Sequence, residues 1–312
     1  MPVDQPHDKE MRLQQFAMRL SLGVGFVMFG GKFLAYWITG SAAILSDAAE
    51  SVVHVVAVSF ATYSLWLSQQ PPDPTHHYGH EKISFFSAGF EGAMIVIAAL
   101  YIIYVSIQKW IAGLVLEHLG TGTLLVAGAA VINGGLGTYL VWVGKKQHSL
   151  ILEANGRHVL TDCYTSAGVI VGLLLTLRTG WLHFDPILAI LVALNILWSG
   201  AKLMRQSIGG LMDEVDPEIQ SRVRRILDEK TTTLGIQYHG LRHRNAGNTI
   251  WIEFHLLFHE GISLQAAHRT ATEIEETIRS NLPFKAEVLS HLETIEDHQR
   301  VHTRQHFEDF SD

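Results

Sequence analysis

Two pairs of residues carry the most distinctive chemistry in this chain: Glu50 with His54, and His158 with Asp162. The members of each pair are four residues apart, so in a helix they share one face. Both pairs lie in apolar segments of membrane-spanning length. A carboxylate at mid-bilayer costs about 2.5–3.5 kcal/mol on the insertion scale. Bearing that cost twice, each time beside a histidine, points to ligands that meet a metal ion inside the membrane. If the two segments are neighbours, two nitrogens and two oxygens make a tetrahedral set. Such a set suits zinc, and also cobalt(II), cadmium or iron(II), whereas magnesium and calcium prefer oxygen-rich sites. The rival reading is a pair of buried acid–histidine hydrogen bonds that hold helices together. Asp47, one turn before Glu50, is a candidate fifth ligand or a vestibule acid. Histidine titrates near neutrality, and a metal must displace its proton. Metal and protons thus compete for the same atoms, which is a physical route to antiport. No Gly-rich Lys-Ser/Thr phosphate loop that would serve an ATP motor occurs.

The elements that must position these residues follow from the distribution of hydropathy. The 312-residue chain is 48% hydrophobic and only 17% charged, with a mean hydropathy of +0.19. Apolar runs lie at about 16–38, 42–67, 83–115, 123–143, 150–177 and 186–204. The third is too long for one upright span and implies tilt or an interfacial turn. Trp37, Trp66, Trp110, Trp142 and Trp181 fall near run ends, where an aromatic belt places them. Lys9, Arg12, Lys82, Lys145, Lys146, Arg157, Lys202 and Arg205 collect on one side of six spans, which puts both termini in the cytoplasm. No leader peptide is expected: residues 1–12 are polar, and no small-residue cleavage site closes the first run.

Beyond Gly209 charged residues become frequent, and half of the 18 histidines lie there. Asp216-Pro217-Glu218 is a helix start. Residues 235–243 and 249–259 read as strands joined by Asn245-Ala-Gly-Asn248, 263–281 as a helix and 285–294 as a third strand. The expected fold is therefore an α-helical membrane protein. Its parts are an N-terminal segment (1–13), six transmembrane helices (14–208), a cytoplasmic α-β-β-α-β, ferredoxin-like domain (209–297) and a flexible His-containing tail (298–312). The net charge of −7 argues against nucleic acid. The single cysteine, Cys163, excludes an intramolecular disulfide framework and a cysteine-rich zinc module.

With the quartet, the six spans and the small soluble domain in view, the chain resembles the cation diffusion facilitator family over about 12–297. Further motifs carry the likeness: Asp73-Pro-Thr-His76-His77-Tyr-Gly-His80-Glu-Lys82, Phe184-Asp185-Pro186 and Leu211-Met-Asp213. The resemblance implies a homodimeric metal/proton antiporter of a cell (inner) membrane, working by alternating access at Glu50, His54, His158 and Asp162. The usual second-span pattern is Asp-x-x-x-Asp or His-x-x-x-Asp; here it is Glu50-x-x-x-His54. The added imidazole shifts preference toward zinc, cobalt, nickel or iron(II) and away from manganese, and zinc is the expected metal. Asp73, His76 and His80 match a loop metal site, with His77 as a substitute ligand, against the alternative of a solvated histidine loop. Lys82 and Asp213 match an interlocking charge pair near the dimer interface, against that of an ordinary surface pair. His239, His255, His268, His291 and Glu293 match a cytoplasmic metal cluster that would lock the dimer; independently, His291 and Glu293 are two apart on a strand and face one side. His243 and His259 are extra histidines, read as solvated strand ends rather than ligands. Divalent metal is thus both substrate and regulatory ligand, and no organic cofactor is expected. Two rivals remain: a non-transporting sensor that partners a true transporter, and an intramembrane metallohydrolase with Asp47 as base. The second lacks a His-Glu-x-x-His stretch.

Overall fold

The computed structural model describes residues 6–39, 42–112, 121–180, 184–296 and 298. The chain divides into two compact units, Met1–Ile208 and Gly209–Asp312.

The first unit consists of long helices: α1 (Pro6–Thr39), α2 (Ala42–Ser68), α3 (Ile83–Ala112), α4 (Thr121–Lys146), α5 (Leu150–Thr179) and α6 (Phe184–Leu211). Among the described residues, each apolar run corresponds to one helix. α1 begins well before its run, at Pro6, because Pro6–Gln15 adds polar turns that need no apolar face. Within α3, residues Ile83–Gln108 are by length and composition sufficient to cross a membrane. At 1.5 Å per residue this stretch is about 39 Å long, more than a hydrocarbon core of about 30 Å.

Packing in this unit runs opposite to that of a water-soluble bundle. Large apolar side chains such as Val27, Tyr101, Ile111, Val131 and Trp198 are exposed, a surface suited to lipid. Many interior residues are small, with Ala17, Ala57, Ala61, Ala88, Ala99 and Ala154 fully buried. Small interior residues let backbones approach closely where lipid supplies no hydrophobic drive between helices. α5 is shared by two packed groups. Its Ile151, Leu152 and Val159 join Met18 of α1, Leu65 of α2 and Leu140 of α4. Its Ala154 joins Ile95 of α3 and Ile196 of α6. The helix that carries His158 and Asp162 is therefore held from both sides.

The second unit is α7 (Pro217–Leu234), β1 (Gln237–Asn245), β2 (Thr249–Phe258), α8 (Leu264–Asn281) and β3 (Lys285–Thr294). The order is the α-β-β-α-β that the sequence predicts. Asp216 caps α7, accepting the backbone N–H groups of Glu218 and Ile219, with Pro217 next in line. Such a cap contributes about 1 kcal/mol. Gly235 ends α7 in the left-handed conformation, at φ 66°. The sheet order is β1-β2-β3, β1 antiparallel and β3 parallel to β2. Because strand side chains alternate, the even-numbered β2 residues Ile250, Ile252, Phe254 and Leu256 face Val223 and Leu227 of α7 and Ala271, Ile274 and Ile278 of α8 in the core. The odd-numbered residues, His255 among them, fall on the opposite face of the sheet.

Candidate metal centres

The membrane unit brings His54 of α2 together with His158 and Asp162 of α5. One ligand atom from each lies within 4.8 Å of the others. His54 Nδ1 is 3.7 Å from Asp162 Oδ2, and the two imidazole centroids are 5.2 Å apart. Ligands around a tetrahedral zinc, each at about 2.0–2.1 Å, are about 3.4 Å from one another. The three groups are thus near the spacing such an ion requires. Glu50 lies one turn before His54 on α2, and Asp47 nearly one turn earlier; the side chains of both are outside the described residues. One turn before His158, fully buried Asn155 donates to Ser21 Oγ at 2.9 Å, which ties α5 to α1 just below the site.

A fourth group reaches this site without a signal from the paired motif. Glu91 of α3 has no exposed surface, and its Oε2 is 3.1 Å from His158 Nδ1. The signal was present in another form: Glu91 is the sole charged residue of Ile83–Gln108. A lone carboxylate inside an apolar span is a functional candidate by default.

The loop between α2 and α3 gathers Asp73, His76 and His80, with one ligand atom from each within 4.8 Å of the others. Asp73 Oδ1 is 3.3 Å from His76 Nδ1, and its Oδ2 is 3.4 Å from His80 Nε2. Hydrogen bonds from the Thr75 hydroxyl and backbone, and then from His76, hold the Asp73 carboxyl well below the usual carboxylate range. His77 is no part of the cluster, since its Nε2–H donates to the Pro74 carbonyl at 3.1 Å. Lys82 lies in the turn that enters α3. Asp213, in the second unit, follows α6 in a left-handed turn at φ 56°.

In the second unit, sheet register places His239, His255 and His291 in one row across β1, β2 and β3. Glu293 is the hub. Its Oε1 is 2.7 Å from His255 Nδ1 and 3.7 Å from His291 Nε2, and its Oε2 is 3.2 Å from His239 Nε2. Burial opposes ionisation of Glu293, but hydrogen bonds from His239, His298 and His255 overcome it and lower the carboxyl to about 2. Burial lowers the pKa of His239, with the Glu293 hydrogen bond in opposition. A bulge in β1 between His239 and Arg242, with Gly240 at φ 63°, sets this corner. A left-handed glycine at a bulge bends the strand and re-aims its neighbours.

Two expectations, for His298 and His243, are corrected here. His298, read as part of a loose tail, docks on Glu293 at 2.9 Å, and its ring centroid is 4.3 Å from that of His239. The compact group is His239, Glu293 and His298. His268 is exposed on α8 and is not in that group. His243, read as a solvated strand end, is only 7% exposed and packs at the start of α7. It follows the bulge, which shifts strand parity and turns it toward the helices. His259 is exposed past the end of β2.

Comparison with known proteins gives the class. The cation efflux transmembrane domain matches residues 18–212, and the cytoplasmic domain of cation efflux proteins matches residues 215–295. An uncharacterized transporter of Synechocystis sp., sll1263, is 36% identical over 278 residues, 89% of each chain. The cation-efflux pump FieF of Salmonella agona and that of Citrobacter koseri are each 28% identical over 253 residues, 81% of this chain and 83% of theirs. The chain belongs to the cation diffusion facilitator family. It is an integral membrane cation efflux transporter with a transmembrane domain followed by a cytoplasmic one.

Proposed function

We propose that this protein exports divalent transition-metal ions, zinc foremost, in exchange for protons, as a homodimer in the inner membrane. The observation that carries the reading is the convergence of His54, His158 and Asp162 from two helices of the membrane domain. Glu50, one turn from His54 on α2, supplies the fourth ligand. Two imidazoles among four ligands favour zinc over manganese. Imidazole also supplies the coupling. A histidine that releases metal takes up a proton near neutral pH, and incoming metal displaces it. Six spans with both termini in the cytoplasm expose this exchange alternately to the two sides.

The loop and cytoplasmic clusters act on the transporter rather than in the path. Asp73, His76 and His80 tie the end of α2 to the start of α3. His239, His255, His291 and Glu293 lie on the sheet face away from α7 and α8. Metal there would brace a second copy of the domain, and exposed His268 is available to that copy. The curated cation-efflux pumps named FieF support the same direction of transport. The test is metal uptake into vesicles containing the purified protein, with a pH dye inside. An acid-inside gradient should drive zinc inward as the interior becomes alkaline. Zinc entry without any proton movement would remove the coupling; preference for manganese would remove the assignment of the metal.

A further inference from the structure

We infer that Glu91 is a positioning residue of the membrane metal site: it holds Nδ1–H of His158, so that Nε2 is presented to the metal. The inference rests on the reading of His158 as a ligand.

The first argument is energetic. Glu91 is fully buried on α3, in the stretch that is long and apolar enough to cross a membrane. A carboxylate in such a place is tolerated only where another polar or charged group meets it. Among the described residues, the ion pair that the structure gives Glu91 is with His158 Nδ1, at 3.1 Å. The pair is within hydrogen-bond distance without hydrogen-bond alignment.

The second argument is positional. Glu91 is not among the three groups that converge on one point, namely His54, His158 and Asp162. It approaches His158 Nδ1 from a third helix, α3. Its backbone is held there. A β-carbon at the adjacent Gly92 would lie 2.9 Å from Met204 Cγ and 3.1 Å from the Gly200 carbonyl oxygen, so α3 is pressed against α6 at this level. Nearly two turns before Glu91, Ser207 Oγ of α6 donates to the Phe85 carbonyl of α3 at 2.6 Å. The carboxylate is therefore placed before any metal arrives.

The third argument is chemical. A metal-bound imidazole generally gives its other N–H to a carboxylate or carbonyl, which fixes the tautomer and the ring plane. Asp162 is one of the three converging groups, and Glu91 is the carboxylate beside Nδ1 of the same histidine.

The experiment measures zinc transport by the full-length protein in vesicles, with KM and turnover determined separately. Glu91→Gln keeps the volume but lets an amide N–H face Nδ1, favouring the wrong tautomer. KM should rise about 10–100-fold, the usual loss for such a partner, while turnover at saturating zinc stays within about 3-fold. Glu91→Asp should recover part of the affinity. An unchanged KM in Glu91→Gln, or a fall in turnover with KM unchanged, overturns the inference. So does failure of both variants to assemble, which would make Glu91 a packing residue. His158→Ala separates this inference from the one beneath it. If His158→Ala is inactive while Glu91→Gln has the parental KM, the positioning role alone fails. If His158→Ala transports with the parental KM, both fail.

Discussion

His243 accepts the backbone N–H of Asp216 on its Nε2 at 3.0 Å. Its Nδ1–H donates to Gln220 Oε1 at 2.9 Å. Both bonds require the neutral ring, because Nε2 must keep a lone pair. Burial lowers the pKa of this histidine, with the Asp216 charge opposing. The unfolded chain therefore takes up the proton first as pH falls. The contribution of His243 is complete above pH 6.5 and is lost as pH falls from there through the lower folded value. His243→Gln should lower protection of the α7 N-terminal amides in hydrogen exchange at pH 7.5, by about 1–3 kcal/mol. The difference from the parent should shrink toward pH 5.5. A difference independent of pH would mean that the ring contributes packing only.

Helix α5 should be sensitive to bulk on the side that meets α4. A β-carbon at Gly156 would lie 2.7 Å from the Val141 backbone nitrogen, which cannot yield as a flexible side chain can. Gly156→Ala should cost about 1–3 kcal/mol and lower the thermal midpoint of the detergent-solubilised protein. Gly135 on α4 has open space around it. Gly135→Ala should be neutral or stabilising by up to about 1 kcal/mol, since alanine suits a helix better. Equal losses at the two positions would contradict this account of α4–α5 packing.

Glu293 should organise the cytoplasmic histidines with or without metal. Its folded pKa, about 2, lies below the ordinary carboxylate value of 4.5. Its contribution is therefore present above pH 4.5 and is lost as pH falls toward 2. At neutral pH, Glu293→Gln removes the charge that holds His239, His255 and His298. Zinc retention by the cytoplasmic cluster should fall by at least about 100-fold, measured by competition with a chelator in a chain that also carries Asp73→Ala and Asp162→Ala. Parental retention would remove Glu293 from the cluster.

Repeated patterns were legible in the sequence, whereas the partners of single residues were not. His54, His158 and Asp162 could be read because four-residue spacing recurred in two apolar segments, and a helix turns that spacing into a shared face. The β2 face could be read from the alternation of Ile250, Ile252, Phe254 and Leu256. Glu91 has no partner in its own helix; its relation to His158 exists only once α3 and α5 pack. His243 was hidden by the bulge at Gly240, because one extra residue reverses which side chains point inward. His298 lies five residues beyond Glu293, past the end of β3, where no strand period applies.

The central claim is that a metal ion crosses the membrane through ligands on α2 and α5. The direct measurement is zinc uptake driven by an acid-inside gradient into vesicles containing parent or Asp162→Ala protein. Removal of one of four ligands should reduce uptake by at least about 100-fold at micromolar zinc, with the protein still folded and inserted. Uptake by Asp162→Ala at the parental rate would show that the metal takes another path.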